Sequence, residues 1–262
     1  MTLGYYQVDA FTDSVFAGNP AGVCPLGEWL PDAVLQRIAA ENNQSETAFF
    51  VRADGHFELR WFTPLREVDL CGHATLAAAH VLFSEFHEAA ERLEFATASG
   101  RMTVERRNDE LILDFPSRPP LECVAPGDLL RGLGATPVFV AKARDYFAVF
   151  ATEAEIRALQ PDFAALARLD SLGVIATAPG SGVDFVSRFF APQAGIPEDP
   201  VTGSAHCTLI PYWATRLGKS RLRARQVSPR GGALNGELAG DRVKIGGLAV
   251  TYLRGWIMLP PA

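Results

Sequence analysis

The sequence predicts an α+β protein built twice: two halves of one plan, each a β-barrel-like set of short strands wrapped around one central helix. Three observations carry this. A short motif recurs at about half the chain length. Each copy is followed by a helix-length segment that is apolar on every face. Most of the remaining chain alternates apolar and polar residues in short runs separated by turn signals.

Residues 57–64 read Phe-Glu-Leu-Arg-Trp-Phe-Thr-Pro, and residues 185–192 read Phe-Val-Ser-Arg-Phe-Phe-Ala-Pro. Phe57/Phe185, Arg60/Arg188, Phe62/Phe190 and Pro64/Pro192 are identical pairs, each 128 residues apart in a chain of 262. Downstream, each copy has an Asp (Asp69, Asp199), then a Gly (Gly72, Gly203), then a long apolar segment. Their shared order marks an internal duplication.

Along the chain, Pro31 to Asn42 predicts a helix, with proline in the first turn and apolar Val34, Leu35 and Ile38. Phe57, Leu59 and Trp61 alternate with polar residues, so this run is a strand, closed by Pro64. A helix over about 73–86 carries Ala74, Leu76, Ala77, Ala78, Val81, Leu82 and Phe83 and should be buried all round. Strands follow at Leu93–Phe95, Met102–Val104 and Leu111–Phe115, the first pair joined by a turn at Ser99-Gly100. The proline-rich stretch Pro116–Pro126 marks the boundary, giving a first half over 1–116 and a second over 117–262, with the last strand free to return to the first. Thr152 and Glu155 form a capping box for a helix near 153–160. The second motif copy is a strand ended by Pro192, followed by a helix over about 204–217 that Pro211 should kink. Val243 and Ile245 make a late strand ended by Gly246-Gly247.

Composition excludes several classes. With 48% hydrophobic and 21% charged residues the chain is neither disordered nor collagen-like. Its 24 basic and 30 acidic side chains give a net charge of −6, unlike a nucleic-acid binder; the mixed run Lys219–Arg225 reads as a solvated strand. No apolar run is long enough for a membrane helix, and Met1-Thr-Leu-Gly-Tyr-Tyr has neither the basic nor the apolar part of a signal peptide, so a cytoplasmic location is expected. The four cysteines (Cys24, Cys71, Cys123, Cys207) are far apart and fit reduced thiols. His80 and His87 follow His73 at seven-residue steps, about 10 Å of helix, too far for one ion, and no other sequence spacing suggests a metal. Nucleotide-binding and nucleophile-elbow motifs are absent, and no cofactor is expected.

The chemistry-bearing residues gather at the two predicted helix starts. Unpaired amides and the helix dipole there attract an anion, so Gly72 and Gly203 predict a site for a small carboxylate, expected between the halves. Cys71 and His73 flank the first start; Asp199, Thr202, Ser204, His206 and Cys207 flank the second. Asn43-Gln44-Ser45-Glu46-Thr47 leads into a strand, and a partly buried Glu46 between hydroxyls suits a base acting on carbon. The turn-rich Ala17–Gly22 offers Asn19, and Ser228–Gly232 offers Arg230, for substrate. Phe62, Phe190 and Tyr146 are candidates for a pocket lining and for the core alike.

Together, Val8-Asp-Ala-Phe-Thr, Gly18-Asn-Pro-Ala-Gly-Val, Ser45-Glu-Thr, Leu70-Cys-Gly-His-Ala-Thr and Glu198-Asp-Pro-Val-Thr-Gly-Ser-Ala-His-Cys resemble the phenazine-biosynthesis PhzF-like isomerase family, in register over almost the whole chain. The resemblance implies the diaminopimelate epimerase-like fold and a homodimer. It implies that Glu46 is the general acid and base of a cofactor-free isomerisation. Gly72, His73, Asp199 and Ser204 would bind or relay; Asn19, Ser45, Gly203 and Arg230, read from the residues themselves, are further candidates to hold substrate. Cys71 and Cys207 also match the two thiol positions of diaminopimelate epimerases, which keeps a two-thiol epimerase or racemase open. A metabolite-binding protein without catalysis is the third reading.

Overall fold

The computed structural model describes residues 1–260. The chain divides into two compact units, residues 1–114 with 246–262, and residues 115–245. It leaves the first unit after Asp114 and returns to it at Gly246.

In the first unit, the strand Ala249–Met258 pairs antiparallel with Thr2–Ala10, which pairs antiparallel with Asn19–Leu26. Asn19–Leu26 runs parallel to Glu46–Ala53, which is antiparallel to His56–Phe62. His56–Phe62 is parallel to Arg92–Thr97, and the hairpins to Gly100–Arg107 and Glu110–Pro116 follow. A parallel neighbour needs a crossover. The helix Asp32–Asn42 provides the first one, and the helix Gly72–Ser84 the second.

The second unit repeats this order of senses. Phe139–Lys142 is antiparallel to Tyr146–Val149, which is parallel to Val174–Pro179. Val174–Pro179 is antiparallel to Phe185–Ala191, which is parallel to Arg221–Gln226, which is antiparallel to Gly232–Ala239. The short helices Glu153–Ala158 and Phe163–Leu166 occupy the first crossover and the helix Gly203–Leu217 the second. The motif pairs observed in the sequence therefore lie at the same place in both units. Arg60 grips Glu67 with two bonds of 2.7 Å, and Arg188 grips Glu198 with bonds of 2.7 and 2.8 Å.

The second crossover helix is the centre of each unit. Ten of the thirteen residues of Gly72–Ser84 are buried, and the helix packs on Thr2–Ala10, Asn19–Leu26, Glu46–Ala53 and Ala249–Met258. Burying Leu76, Val81, Leu82 and Phe83 stabilises the unit by roughly 1.5–3 kcal/mol each. The helix Gly203–Leu217 packs on Arg221–Gln226 and Gly232–Ala239, and Trp213 stacks on Phe185. It runs through Pro211 without a break. Proline removes the amide that would bond the carbonyl four residues back. That carbonyl, on Cys207, accepts instead from the Arg118 backbone N–H at 2.9 Å, and Gly218 in a left-handed conformation ends the helix.

Several expectations need correction. Ala17–Gly22 is not simply a turn: Asn19 opens a strand, and the turn ends at Gly18, where φ is +66° and a Cβ would lie 2.2 Å from the Ala10 carbonyl oxygen. The helix Gly127–Leu133 lies in the stretch read as following the boundary. Phe62, Phe190 and Tyr146 are core residues, so they give no information about a substrate. The expected capping box is present, with both of its reciprocal Thr152–Glu155 bonds. All four cysteines are free thiols. Among the described residues no helix is long and apolar enough to cross a membrane.

Candidate functional site

Glu46 owes its position to a short local sequence. The helix Asp32–Asn42 ends on Asn43 in a left-handed conformation, Gln44 and Ser45 turn the chain, and Glu46 opens the next strand opposite Ala21. Asn42 Nδ2 donates to Thr47 Oγ1 at 3.3 Å and ties the helix end to that strand. On the neighbouring strand Asn19 is fully buried, and the loop before it is held by the Phe16 N–H on Asp9 Oδ2 at 3.0 Å.

The start of the helix Gly72–Ser84 meets this corner. Cys71 is its N-cap in extended conformation, and its side chain does not cap the first-turn amides. The first amides of the helix have no intrahelical partner. His73, on that turn, is buried. Its Nε2 lies 3.3 Å from Glu46 Oε2 and 3.4 Å from Ser45 Oγ, while its Nδ1 lies 3.5 Å from Cys71 Sγ. Ser45 Oγ is also 3.1 Å from the Pro20 carbonyl and 3.4 Å from Asn19 Oδ1. Desolvation lowers the His73 pKa to about 3, so the ring is neutral near pH 7 and its 3.3 Å contact with Glu46 is not an ion pair. The fold thus brings together Asn19, Ser45, Glu46, Cys71, Gly72 and His73 in the first unit.

Glu46, Cys71 and His73 each bring a metal-ligating atom within 4.8 Å of the others, a grouping that sequence spacing did not reveal. The thiol contacts the ring at Nδ1 and the carboxylate at Nε2.

In the second unit the helix start is built from amides and hydroxyls. The Thr202 N–H donates to Gln226 Oε1 at 2.9 Å, and Gln226 Nε2 donates to the Asp199 carbonyl at 2.7 Å and Thr202 Oγ1 at 3.1 Å. Thr202 Oγ1 donates to Asp199 Oδ2 at 2.5 Å. Ser204, half-buried, is the second residue of the helix. Ser228 Oγ donates to the Pro200 carbonyl at 2.8 Å, which pins the loop carrying half-buried Arg230 beside Asp199. Gln226 was missed from sequence. Its signal was available: in the strand Arg221–Gln226 the inward positions are Leu222, Ala224 and Gln226, and an amide there needs partners.

Two other candidates lie apart from these groups. Cys207 sits one turn into its helix, nearly inaccessible, and burial pushes its thiol pKa up to about 11. His206 is buried against Phe185, donates from Nδ1 to the Thr202 carbonyl at 2.8 Å, and has its pKa lowered by desolvation to about 4. His80 pairs with Thr251 Oγ1 at 3.0 Å.

Comparison with known proteins agrees with the geometry. A family model described as phenazine biosynthesis-like protein matches residues 8–255. A Pseudomonas aeruginosa protein named as an uncharacterized isomerase is 53% identical over 259 residues, covering 99% of this chain and all of the relative. The crystal structure of a PhzF-family phenazine biosynthesis protein from Enterococcus faecalis superposes with a TM-score of 0.97 at 49% identity, covering 99% of this chain and all of that one. A hydroxyproline epimerase from Agrobacterium vitis shares the fold at 11% identity, with a TM-score of 0.61 over 98% of this chain and 92% of that one. The chain therefore belongs to the phenazine biosynthesis-like family, as an isomerase with the diaminopimelate epimerase-like fold.

Proposed function

We propose that this isomerase moves a proton on a small carboxylate-bearing metabolite without a cofactor, with Glu46 as both general base and general acid. The observation that carries the reading is the setting of Glu46. It is a partly buried carboxylate, 3.3 Å from a neutral imidazole, at the start of a buried helix. Glu46 takes a proton from carbon, and the electron pair left behind delocalises as an enolate. The first-turn amides from Gly72 onward are preorganised donors for that negative charge. Glu46 then returns the proton at another carbon. His73 keeps its ring proton throughout and orients the carboxylate. By the same dipole argument, the helix start at Gly203 and Ser204 favours an anion.

The two-thiol alternative is weakened by Cys207, whose burial holds it as a thiol near neutral pH. The test follows carbon-bound deuterium by NMR when the protein is incubated in heavy water with a panel of small carboxylates, cyclic and aromatic ones included. The expected result is label in at least one compound, lost with Glu46→Gln. Label retained in Glu46→Gln but lost in Cys71→Ser and Cys207→Ser would establish the epimerase. Tight binding without label would establish a binding protein.

A further inference from the structure

The strand Ala249–Met258 extends further than its counterpart. In the second unit the strand at the same place, Leu121–Glu122, pairs with Ala141 and Lys142 and ends there. In the first unit the pairing with Thr2–Ala10 runs on to Met258. The central helix Gly72–Ser84 reaches only part of this length. His80 Nε2 lies 3.0 Å from Thr251 Oγ1, and the helix C-cap Glu85 is ion-paired with Arg254 at 2.8 Å. Past Arg254 the two strands continue as a ribbon beyond the helix end.

Residues opposite each other in a strand pair share a face, and faces alternate along the strand. One face of the ribbon carries Leu3, Tyr5 and Ile257, which pack in a cluster with Leu35 and Ile38 of the helix Asp32–Asn42. The other carries the pairs Thr2/Met258, Gly4/Trp256 and Tyr6/Arg254. A solvated sheet face is ordinarily polar. This one leaves Trp256 74% and Met258 75% exposed, and Phe86, whose ring meets Tyr6 edge-on, 47% exposed. Together the three leave on the order of 400 Å² of apolar surface in water. That is about the apolar share of a standard interface of about 800 Å² per partner. Arg254, the charged member of the row, has its charge answered within the chain by Glu85. The face is therefore neutral as well as apolar, and it can meet its own image without like-charge repulsion.

We propose that this face docks a second copy of the chain. The two ribbons meet across a twofold axis, and the Trp256 and Met258 side chains of both copies leave water at its centre. A central, desolvated tryptophan is the residue type that anchors such contacts. The extra length of Ala249–Met258, unused by its own barrel, then serves the assembly.

Sedimentation velocity and light scattering on the full-length protein, over a range of concentrations, test it without a substrate. The wild type should be a dimer. Trp256→Asp puts a charge at the centre of the contact and should weaken association by about 10²-fold or more, with an unchanged circular-dichroism melt. If Trp256→Asp does not fold, Trp256→Ala, which removes only exposed atoms, takes its place with the same expectation. Val124→Asp, at an apolar side chain 91% exposed in the second unit, should remain dimeric. A monomeric wild type would overturn the proposal and leave the face to a different protein. A larger assembly, a folded Trp256 variant that associates as tightly as wild type, or dissociation by Val124→Asp would overturn it too.

Discussion

The two helix starts share one architecture and differ in chemistry. Around Cys71-Gly72-His73 stand a carboxylate, an imidazole and a thiol. Around Thr202-Gly203-Ser204 stand an amide and hydroxyls, closed into a network with Asp199. Strand register shows how far the divergence goes. Arg60 faces Phe49 and Arg188 faces Ala176, so the second-unit counterpart of Glu46 is Gly173. A Cβ at Gly173 would lie 2.3 Å from Phe189 Cζ. Phe189, the counterpart of Trp61, fills the space that an acid would occupy. After duplication, one copy has a carboxylate at this strand position and the other has filled the equivalent volume with a ring.

The largest effect that would break this comparison is chemical. Glu46→Gln should lower deuterium exchange by about 10²–10⁴-fold, the usual worth of a positioned general base, while urea denaturation shows a fold of unchanged stability. Unchanged exchange would mean that the first helix start is no more chemical than the second.

Next come the motif arginines, chemically the same pair in two settings. Arg188 and Glu198 are nearly sheltered, with side chains 11% and 14% exposed, and Arg188 also donates to the carbonyls of Ile156 and Leu159. Arg60 and Glu67 lie nearer solvent, 24% and 38% exposed. Glu198→Ala should therefore cost about 3–5 kcal/mol in denaturant titration, because it strands a buried guanidinium. Glu67→Ala should cost about 0–1 kcal/mol. Equal costs would show that the two settings do not differ electrostatically.

A smaller effect sharpens the same point. Gly173→Ala should lower stability by about 1–3 kcal/mol, since it forces a methyl against Phe189. A neutral result would mean that Phe189 moves aside and that the second unit retains room for a side chain.

The last comparison is pH dependence, read as a slope. His73 and His80 in the first unit and His206 in the second have folded pKa values lowered to about 3, 4 and 4, chiefly by burial. Depressed values mean stability that is present in full above the unfolded value near 6.5 and lost as pH falls toward the folded one. Unfolding free energy should drop between pH 6.5 and 4, with the first unit contributing two protons and the second one. His80→Gln should flatten the slope by about 1.4 kcal/mol per pH unit. A slope unchanged by His80→Gln would mean that this ring titrates alike in both states.

Much of the architecture was legible because it is written in local periods. The motif strands, the two all-round apolar helices and the Thr152–Glu155 capping box depend on neighbours in sequence, and the structure has each of them within a residue or two. Asn19 was read as part of a turn because Gly18, Pro20 and Gly22 carry turn propensity. Pairing of Ala10 with Asn19 and Ala21 with Glu46 outweighs it. Pro211 predicts a kink; the helix is continuous there, and the Arg118 N–H takes up the carbonyl that proline releases, a partner almost ninety residues upstream that no local pattern specifies.

Local sequence specifies the duplication, the two central helices, the family and the presence of Glu46, His73 and Cys71 as groups able to move or hold protons. Which of these groups meet depends on packing. A parallel strand pair and a crossover helix bring Ser45, Glu46 and Cys71 within 3.3–3.5 Å of the His73 imidazole. Residue type specifies which protons a side chain can exchange. Which ones it does exchange depends on partners a few ångströms away, and those come from elements that only packing brings together.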